Sequence, residues 1–181
     1  MHLDSVSGSD ATGPTESRDK VLTAKELHDL FNVLSEAELA YMAGIVDGEG
    51  TIGVFREITP KRKAEFRYRA ALEVSNTDED VIDWLQVKFG GYTNCTNERT
   101  AREKGHKLMY KWHCKVSDIG SLLKTLMPYL RIKKANAATV LQFIKIQPGP
   151  GKRTFHLQDE FYGYWAECKK LNARGRNWAA A

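Results

Sequence analysis

Between Ser35 and Gly50 the chain encodes one helix that few folds can accommodate. Ser35 followed three residues later by Glu38, with Leu34 and Leu39 on either side, is a capping box with a hydrophobic staple, so a helix starts there. It should run from about Glu36 to Gly48 and stop at Gly48-Glu49-Gly50, where glycine lets the backbone leave the helix. Along it Ala40, Gly44 and Gly48 recur every four residues and form a stripe without side-chain bulk. Small residues at that spacing let two helix backbones approach closely. The chain holds one such helix, so a symmetric pair needs a second copy, which points to a C₂ homodimer. The alternative is that the glycines relieve crowding against a neighbour inside the same domain.

Beyond this helix a strand is expected from Thr51 to Glu57, then a basic loop containing Pro60-Lys61-Arg62-Lys63, then a strand from Phe66 to Ser75. Asn76 or Thr77 is placed to cap a helix of about Asp78 to Phe89, which Gly90-Gly91 ends. A second strand pair follows, roughly Tyr92–Arg99 and Lys107–Val116, joined by a charged loop through Gly105. Asp118 begins a short helix to Met127, and Pro128 interrupts it. Further helices cover about Ile132–Ile146 and Phe155–Leu171, with Pro148-Gly149-Pro150-Gly151 as the linker between them. The order α-ββ-α-ββ-α-α-α is that of an α+β domain with an antiparallel four-stranded sheet and C-terminal helices. Residues 1–19, rich in Ser, Gly, Thr and Asp, are expected to be a disordered tail. Thr23 and Glu26 repeat the capping box and start an extension helix within 20–33. The domain proper then occupies 34–175, with a short tail at 176–181.

Two strands alternate in a way that bears on partners. In the first, Phe66, Tyr68, Ala70, Leu72 and Val74 point one way, and Arg67, Arg69, Glu73 and Ser75 the other. In the second, Leu108, Tyr110, Trp112, Cys114 and Val116 oppose Lys107, Lys111, His113 and Lys115. The apolar sets belong on the core and the polar sets on an exposed face. Five of those eight polar residues are Arg or Lys and one is acidic, a bias that favours a surface facing phosphate or a groove over an ordinary solvated face. The net charge of +4 hides an asymmetry of the same sign. Residues 1–40 hold three basic against eight acidic residues, and 41–181 hold 24 basic against 15 acidic. A basic body behind an acidic segment fits a polyanionic partner.

Several function classes drop out. No apolar run approaches the roughly 20 residues a membrane helix needs, and the first twenty residues lack the features of a secretory signal or transit peptide. Three widely spaced cysteines, Cys95, Cys114 and Cys168, suggest neither zinc nor disulfides. The expectation is an intracellular, reducing compartment, with organelle and prokaryotic cytoplasm not distinguished. No phosphate loop, dinucleotide fingerprint or nucleophile–His pair is present, so no small-molecule substrate is expected. The aromatics Trp84, Phe89, Tyr92, Trp112, Phe143 and Phe161 read as core.

The stretch Met42-Ala43-Gly44-Ile45-Val46-Asp47-Gly48-Glu49-Gly50 resembles the nine-position signature of the LAGLIDADG homing endonucleases, of the single-motif type. The strand Thr51-Ile52-Gly53-Val54, the segment Val74-Ser75-Asn76, the run Pro128-Tyr129-Leu130-Arg131-Ile132-Lys133-Lys134 and the ending Leu171-Asn172-Ala173-Arg174-Gly175 are similar to further landmarks of that family. The resemblance covers about residues 34 to 175. It implies an αββαββα core, a sheet that binds double-stranded DNA, and a homodimer cutting both strands of a pseudo-palindromic site of about 20 base pairs.

In a pair packed along the glycine stripe the two Glu49 carboxylates would meet near the dyad, at helix ends whose partial negative charge favours a cation. With the Gly48 carbonyl they are hard oxygen ligands suited to Mg²⁺, with Mn²⁺ able to substitute. The family usually shows Asp at this position. Asp47 would face away from the site and serve structure. Lys133 matches a basic residue beside the cleaved phosphate, where it would stabilise developing charge. Asn76 falls where the family places a polar residue that orients solvent, though it could equally be a helix cap. Where the family can carry an Arg, this chain has Asp80. The DNA contacts implied are Arg67, Arg69, Glu73, Ser75, Lys107, Lys111, His113 and Lys115. Two other activities fit the same scaffold, a non-cleaving DNA-binding regulator and an intron RNA maturase.

Overall fold

The computed structural model describes residues 34–58, 66–96, 98–148 and 155–173. The expected tail, the extension helix, the basic loop at 60–63 and most of the Pro-Gly linker lie outside those residues. Helix α1 (Glu36–Glu49) starts as its sequence dictates. The Glu38 amide donates to Ser35 Oγ at 3.2 Å and the Ser35 amide donates to Glu38 Oε2 at 2.9 Å. Glu38 also pairs with Lys88 on α2 (Glu79–Phe89) at 2.7 Å. That ion pair, then the Ser35 bonds, hold the Glu38 carboxyl down to about 2. Helix and strand then join without a loop. At Gly50 an added Cβ would lie 2.7 Å from the Val46 carbonyl oxygen, so only glycine permits so abrupt an exit.

Strands β1 (Gly50–Ile58) and β2 (Phe66–Asn76) pair antiparallel from Gly50 opposite Val74 to Ile58 opposite Phe66. Strands β3 (Tyr92–Cys95) and β4 (Tyr110–His113) complete an antiparallel sheet in the order β1-β2-β4-β3. One face is covered by α1, α2, α4 (Ile119–Leu126), α5 (Lys134–Ile146) and α6 (Gln158–Asn172). The alternation of β2 places Tyr68, Ala70, Leu72 and Val74 in that core, with Trp112 of β4 fully buried beside them. Burying a side chain of this size removes a few kcal/mol of apolar exposure from water. Trp112 also satisfies its one polar atom, Nε1 donating to the Gly90 carbonyl at 2.7 Å.

The outer edge of β1 is closed by side chains. Buried Asn136 of α5 donates to Asn172 of α6 at 2.8 Å, and the amides of both reach the Ile52 carbonyl at 3.5 Å.

The structure corrects the sequence reading at several points. The second strand pair is far shorter than Tyr92–Arg99 and Lys107–Val116, because a short helix, α3 (Glu98–Glu103), occupies the connection. Lys107 and Lys115 therefore lie outside β4, and Val116, expected in the core, is 55% exposed. The cap of α2 is Asp78, whose carboxylate accepts from the Asp80 amide at 3.1 Å, while Asn76 makes the preceding turn by accepting from the Asp78 amide at 3.0 Å. Glu49 is the last residue of α1 rather than the first beyond it. Tyr92, expected in the core, is 54% exposed on the open face of the sheet.

Candidate functional site

The last turn of α1 carries two carboxylates with different surroundings. Asp47 bends back to clamp the turn before α5. Its Oδ2 accepts from the amides of Arg131 at 2.7 Å and Ile132 at 3.2 Å, and its Oδ1 accepts from that of Lys133 at 2.8 Å. Burial raises the Asp47 carboxyl, but the three backbone donors outweigh it and hold the group below the ordinary carboxylate value. The same turn brings the Lys133 ammonium onto the Asp47 carbonyl, where a cation complements the helix C-terminus. Burial pushes Lys133 below the usual lysine value, opposed by the negative charges of Asp47 and Glu49. Glu49 itself is exposed. Its charge is close enough to Lys133 to be felt, so the structure does bring these two expected residues together. The register that sets Gly50 opposite Val74 leaves Asn76 at the same end of the sheet. Its carboxamide oxygen is engaged by the Asp78 amide in the turn before α2, whose cap is Asp78 itself.

The glycine stripe faces outward. Ala40, Gly44 and Gly48 are exposed while Leu39, Met42, Ala43 and Val46 fill the core on the other side of the helix. A Cβ added at Gly44 or at Gly48 would meet nothing within 4 Å. Crowding inside the described domain is therefore not what these glycines relieve. Tyr41, packed edge-on against Trp84 at 5.0 Å, is 53% exposed beside them.

The second feature is the uncovered face of the sheet. Register places Arg67, Arg69, Glu73 and Ser75 of β2 on one side together with Glu57, Phe55 and Thr51 of β1 and Lys111 and His113 of β4. Glu73 lies at the centre of a charged group, with Arg69 Nη2 at 3.7 Å, Lys111 Nζ at 3.8 Å and His113 Nδ1 at 3.4 Å. Arg69 is also bonded to Glu57 and lies over the Phe55 ring at 5.1 Å. The face is less cationic than the two strands suggested, since Glu57 and Glu73 offset part of its charge. Mixed donors and acceptors held in a row match base edges better than phosphate alone.

No protein-family model and no curated protein matches this sequence. The likeness is to solved structures. The homing endonuclease I-CvuI, solved with its DNA target in the presence of calcium, superposes over 77% of this chain and 85% of its own, with a TM-score of 0.63 at 22% identity. The archaeal intron-encoded homing endonuclease I-Vdi141I, complexed with DNA, matches 77% of this chain and 87% of its own at a TM-score of 0.59 and 11% identity. The chain has the LAGLIDADG homing endonuclease fold. A third relative, I-SmaMI bound to cleaved DNA, is matched over 88% of this chain but only 55% of its own, with a TM-score of 0.55 at 15% identity.

On this LAGLIDADG fold the residues expected from sequence separate into two places. Glu49, Gly48 and Lys133 gather at the end of α1. Arg67, Arg69, Glu73, Ser75, Lys111 and His113 share the open sheet face, while Lys107 and Lys115 lie outside β4 in exposed loops. Sequence reasoning missed Glu57, Phe55, Tyr92 and Asn94 on that face. The alternation Tyr92–Asn94 against Thr93–Cys95 would have found the last two. Among the described residues no three His, Cys, Asp or Glu side chains gather as a metal site, and no helix is long and apolar enough to cross a membrane.

Proposed function

We propose that this chain is a divalent-metal-dependent DNA endonuclease that works as a homodimer and cuts both strands of a long, pseudo-palindromic duplex. The observation that carries the reading is the last turn of α1. Gly44, Gly48 and Glu49 lie uncovered there, with Lys133 held beside them. One chain offers a single unengaged carboxylate at this point, because Asp47 is committed to three backbone amides. A second copy packed along the stripe supplies the second carboxylate and gives the twofold symmetry that a two-strand cut requires. The match to 55% of the I-SmaMI chain is in keeping with the same reading, since it leaves room in that chain for a second unit.

The donor set fits a hard cation. Glu49 is an exposed carboxylate at a helix C-terminus, the Gly48 carbonyl lies in the turn whose carbonyls lack helical partners, and oxygen donors of this kind suit Mg²⁺ or Mn²⁺. Bound there, such an ion would acidify a water and neutralise charge on the phosphate. The chain's own contribution is positional. Asp47 fixes the Lys133 backbone, and the Lys133 ammonium stands where developing negative charge would be stabilised. Strand β2, at eleven residues, spans about 36 Å, close to ten base-pair steps. Two subunits therefore cover about 20 base pairs. The reading face consists of Arg67, Arg69, Glu73, Ser75, Lys111 and His113, with Lys107 and Lys115 contributing from exposed loops outside β4.

The test is Glu49→Gln on the duplex that joins the two genomic flanks of this reading frame. The variant should bind that duplex as the wild type does, while Mg²⁺-dependent double-strand cleavage disappears. A wild type that binds the duplex but never cuts it in Mg²⁺ or Mn²⁺ would make the chain a regulator or an RNA-binding maturase instead.

A further inference from the structure

The open face holds a chain of polar contacts that fixes which way one amide points. His113 is shielded, with 13% of its side chain accessible, and three neighbours constrain it. Glu73, an acceptor only, lies 3.4 Å from Nδ1 and is itself held by Arg69 and Lys111. Tyr92 stacks on the imidazole with centroids 4.7 Å apart and planes inclined by 10°, which fixes the ring's orientation. Asn94 Nδ2 lies 3.1 Å from Nε2. The Asn94 NH₂ group can only donate, so Nε2 accepts from it and the ring proton lies on Nδ1, toward the Glu73 carboxylate. The carboxamide oxygen is thereby turned away from the ring. Asn94 is exposed and pairs across the sheet with Lys111, on the same face as Ser75, so this oxygen is presented outward as an acceptor.

We infer that Asn94 is a specificity-determining residue that selects an amino-bearing base edge, with Glu73 and His113 as the positioning residues that set its polarity. The inference rests on the proposed DNA-binding reading and adds to it a residue and a chemical preference. In the major groove the donors are the N4 amino group of cytosine and the N6 amino group of adenine, whereas guanine and thymine present only acceptors and a methyl group. At one position in each half-site the base facing Asn94 is therefore A or C. The Glu73 carboxylate accounts for that choice. Gln at this position could donate to Nδ1, moving the ring proton to Nε2 and turning the Asn94 amide over.

The test uses the joined-flank duplex and all its single-base variants, with equilibrium binding measured for the full chain. Wild type should discriminate against G or T at one position per half-site by about tenfold, the factor one hydrogen bond supplies. Asn94→Ala should lose that discrimination and leave every other position unchanged. Asn94→Asp, which can only accept, should retain the preference for A or C, and Glu73→Gln should weaken it. Asn94 is exposed on a short edge strand, so its variants fold, and the unfolding midpoint of Glu73→Gln is measured beside its binding. Unchanged discrimination in Asn94→Ala, or a preference for G or T in Asn94→Asp, overturns the inference while DNA binding stands. If the wild type binds the duplex no better than an unrelated one, the DNA-binding reading itself falls.

Discussion

Replacing Asp47 with Asn tests whether the end of α1 is held in place by the clamp described above. Three backbone amides converge on the carboxylate at 2.7, 3.2 and 2.8 Å. Hydrogen bonds to a charged group contribute about 1.5–3 kcal/mol each. Arg131 and Ile132 are exposed, so water recovers part of that when the acceptor is lost. Asn also keeps one oxygen but turns an NH₂ group toward amide donors. A net loss of about 2–3 kcal/mol follows, which lowers the melting temperature by roughly 6–9 °C in a domain of this size. The pH dependence fixes the cause. The folded state holds Asp47 below its ordinary value, so the unfolded chain takes up the proton first as pH falls. The stabilisation is complete above the unfolded carboxylate value of about 3.9 and is lost as pH falls through the lower folded one. Urea unfolding of both proteins, from pH 7 downward, should show a constant gap at neutral pH that closes in acid. A variant within about 0.5 kcal/mol of wild type at pH 7, or a gap that widens on acidification, refutes the clamp.

Two further substitutions address the glycines. A Cβ at Gly44 meets nothing within 4 Å, so in Gly44→Leu helix propensity should raise the subunit's own stability by up to about 1 kcal/mol while bulk on the stripe abolishes dimerisation. Sedimentation and urea titration at concentrations that dissociate the wild type measure the two effects separately, and a Gly44→Leu dimer would remove the stripe from the interface. Gly91 has φ +89° and an added Cβ would lie 2.3 Å from the His113 carbonyl oxygen, whereas Gly90, at φ +66°, has open space around its Cβ position. Gly91→Ala should therefore cost several kcal/mol and Gly90→Ala about 1–3 kcal/mol, the penalty of a glycine-only backbone conformation alone. Equal unfolding midpoints for the two would contradict the close approach of β4.

The fold was legible where local chemistry and burial agree. Ser35 and Glu38 announce α1 because both halves of a capping box lie within four residues. The β2 alternation survives because its apolar set is buried against the helices. The β3–β4 connection was not legible, since charge and turn residues there fit a hairpin loop and a short helix equally well. The helix Glu98–Glu103 takes up residues that a longer hairpin would have paired. Glu73 was readable as an outward-facing residue, but its neighbours Arg69, Lys111 and His113 come from β2 and β4 and meet it only once the register is set. The Asn136–Asn172 bond is of the same kind, joining residues from two helices at the edge of β1. Asp47 shows the opposite case. Its structural role followed from helical geometry, although its partners lie about 85 residues away, as the Ile132 bond records.

The charges at the end of α1 argue for the paired arrangement more strongly than the glycines do. Among the described residues each chain brings there Asp47, Glu49 and the negative pole of a helix, with Lys133 as the cation in contact. Asp47 is neutralised in effect by three backbone dipoles, and Lys133 is partly desolvated by its seat on the Asp47 carbonyl. Glu49 is left as an exposed charge whose nearest compensation is shared. A face of this kind is tolerable on a single subunit, where water screens it. Two such ends brought together are not, because carboxylates about 5 Å apart repel by roughly 3 kcal/mol at an effective dielectric near 20. Backbone approach along Gly44 and Gly48 and a negative pole at its end thus oppose each other unless a cation enters between the two glutamates. The chain gives one of its two carboxylates to holding Lys133 and leaves the other exposed. That division has a physical reason in the proposed dimer, where a second Glu49 and a divalent ion would meet the exposed carboxylate.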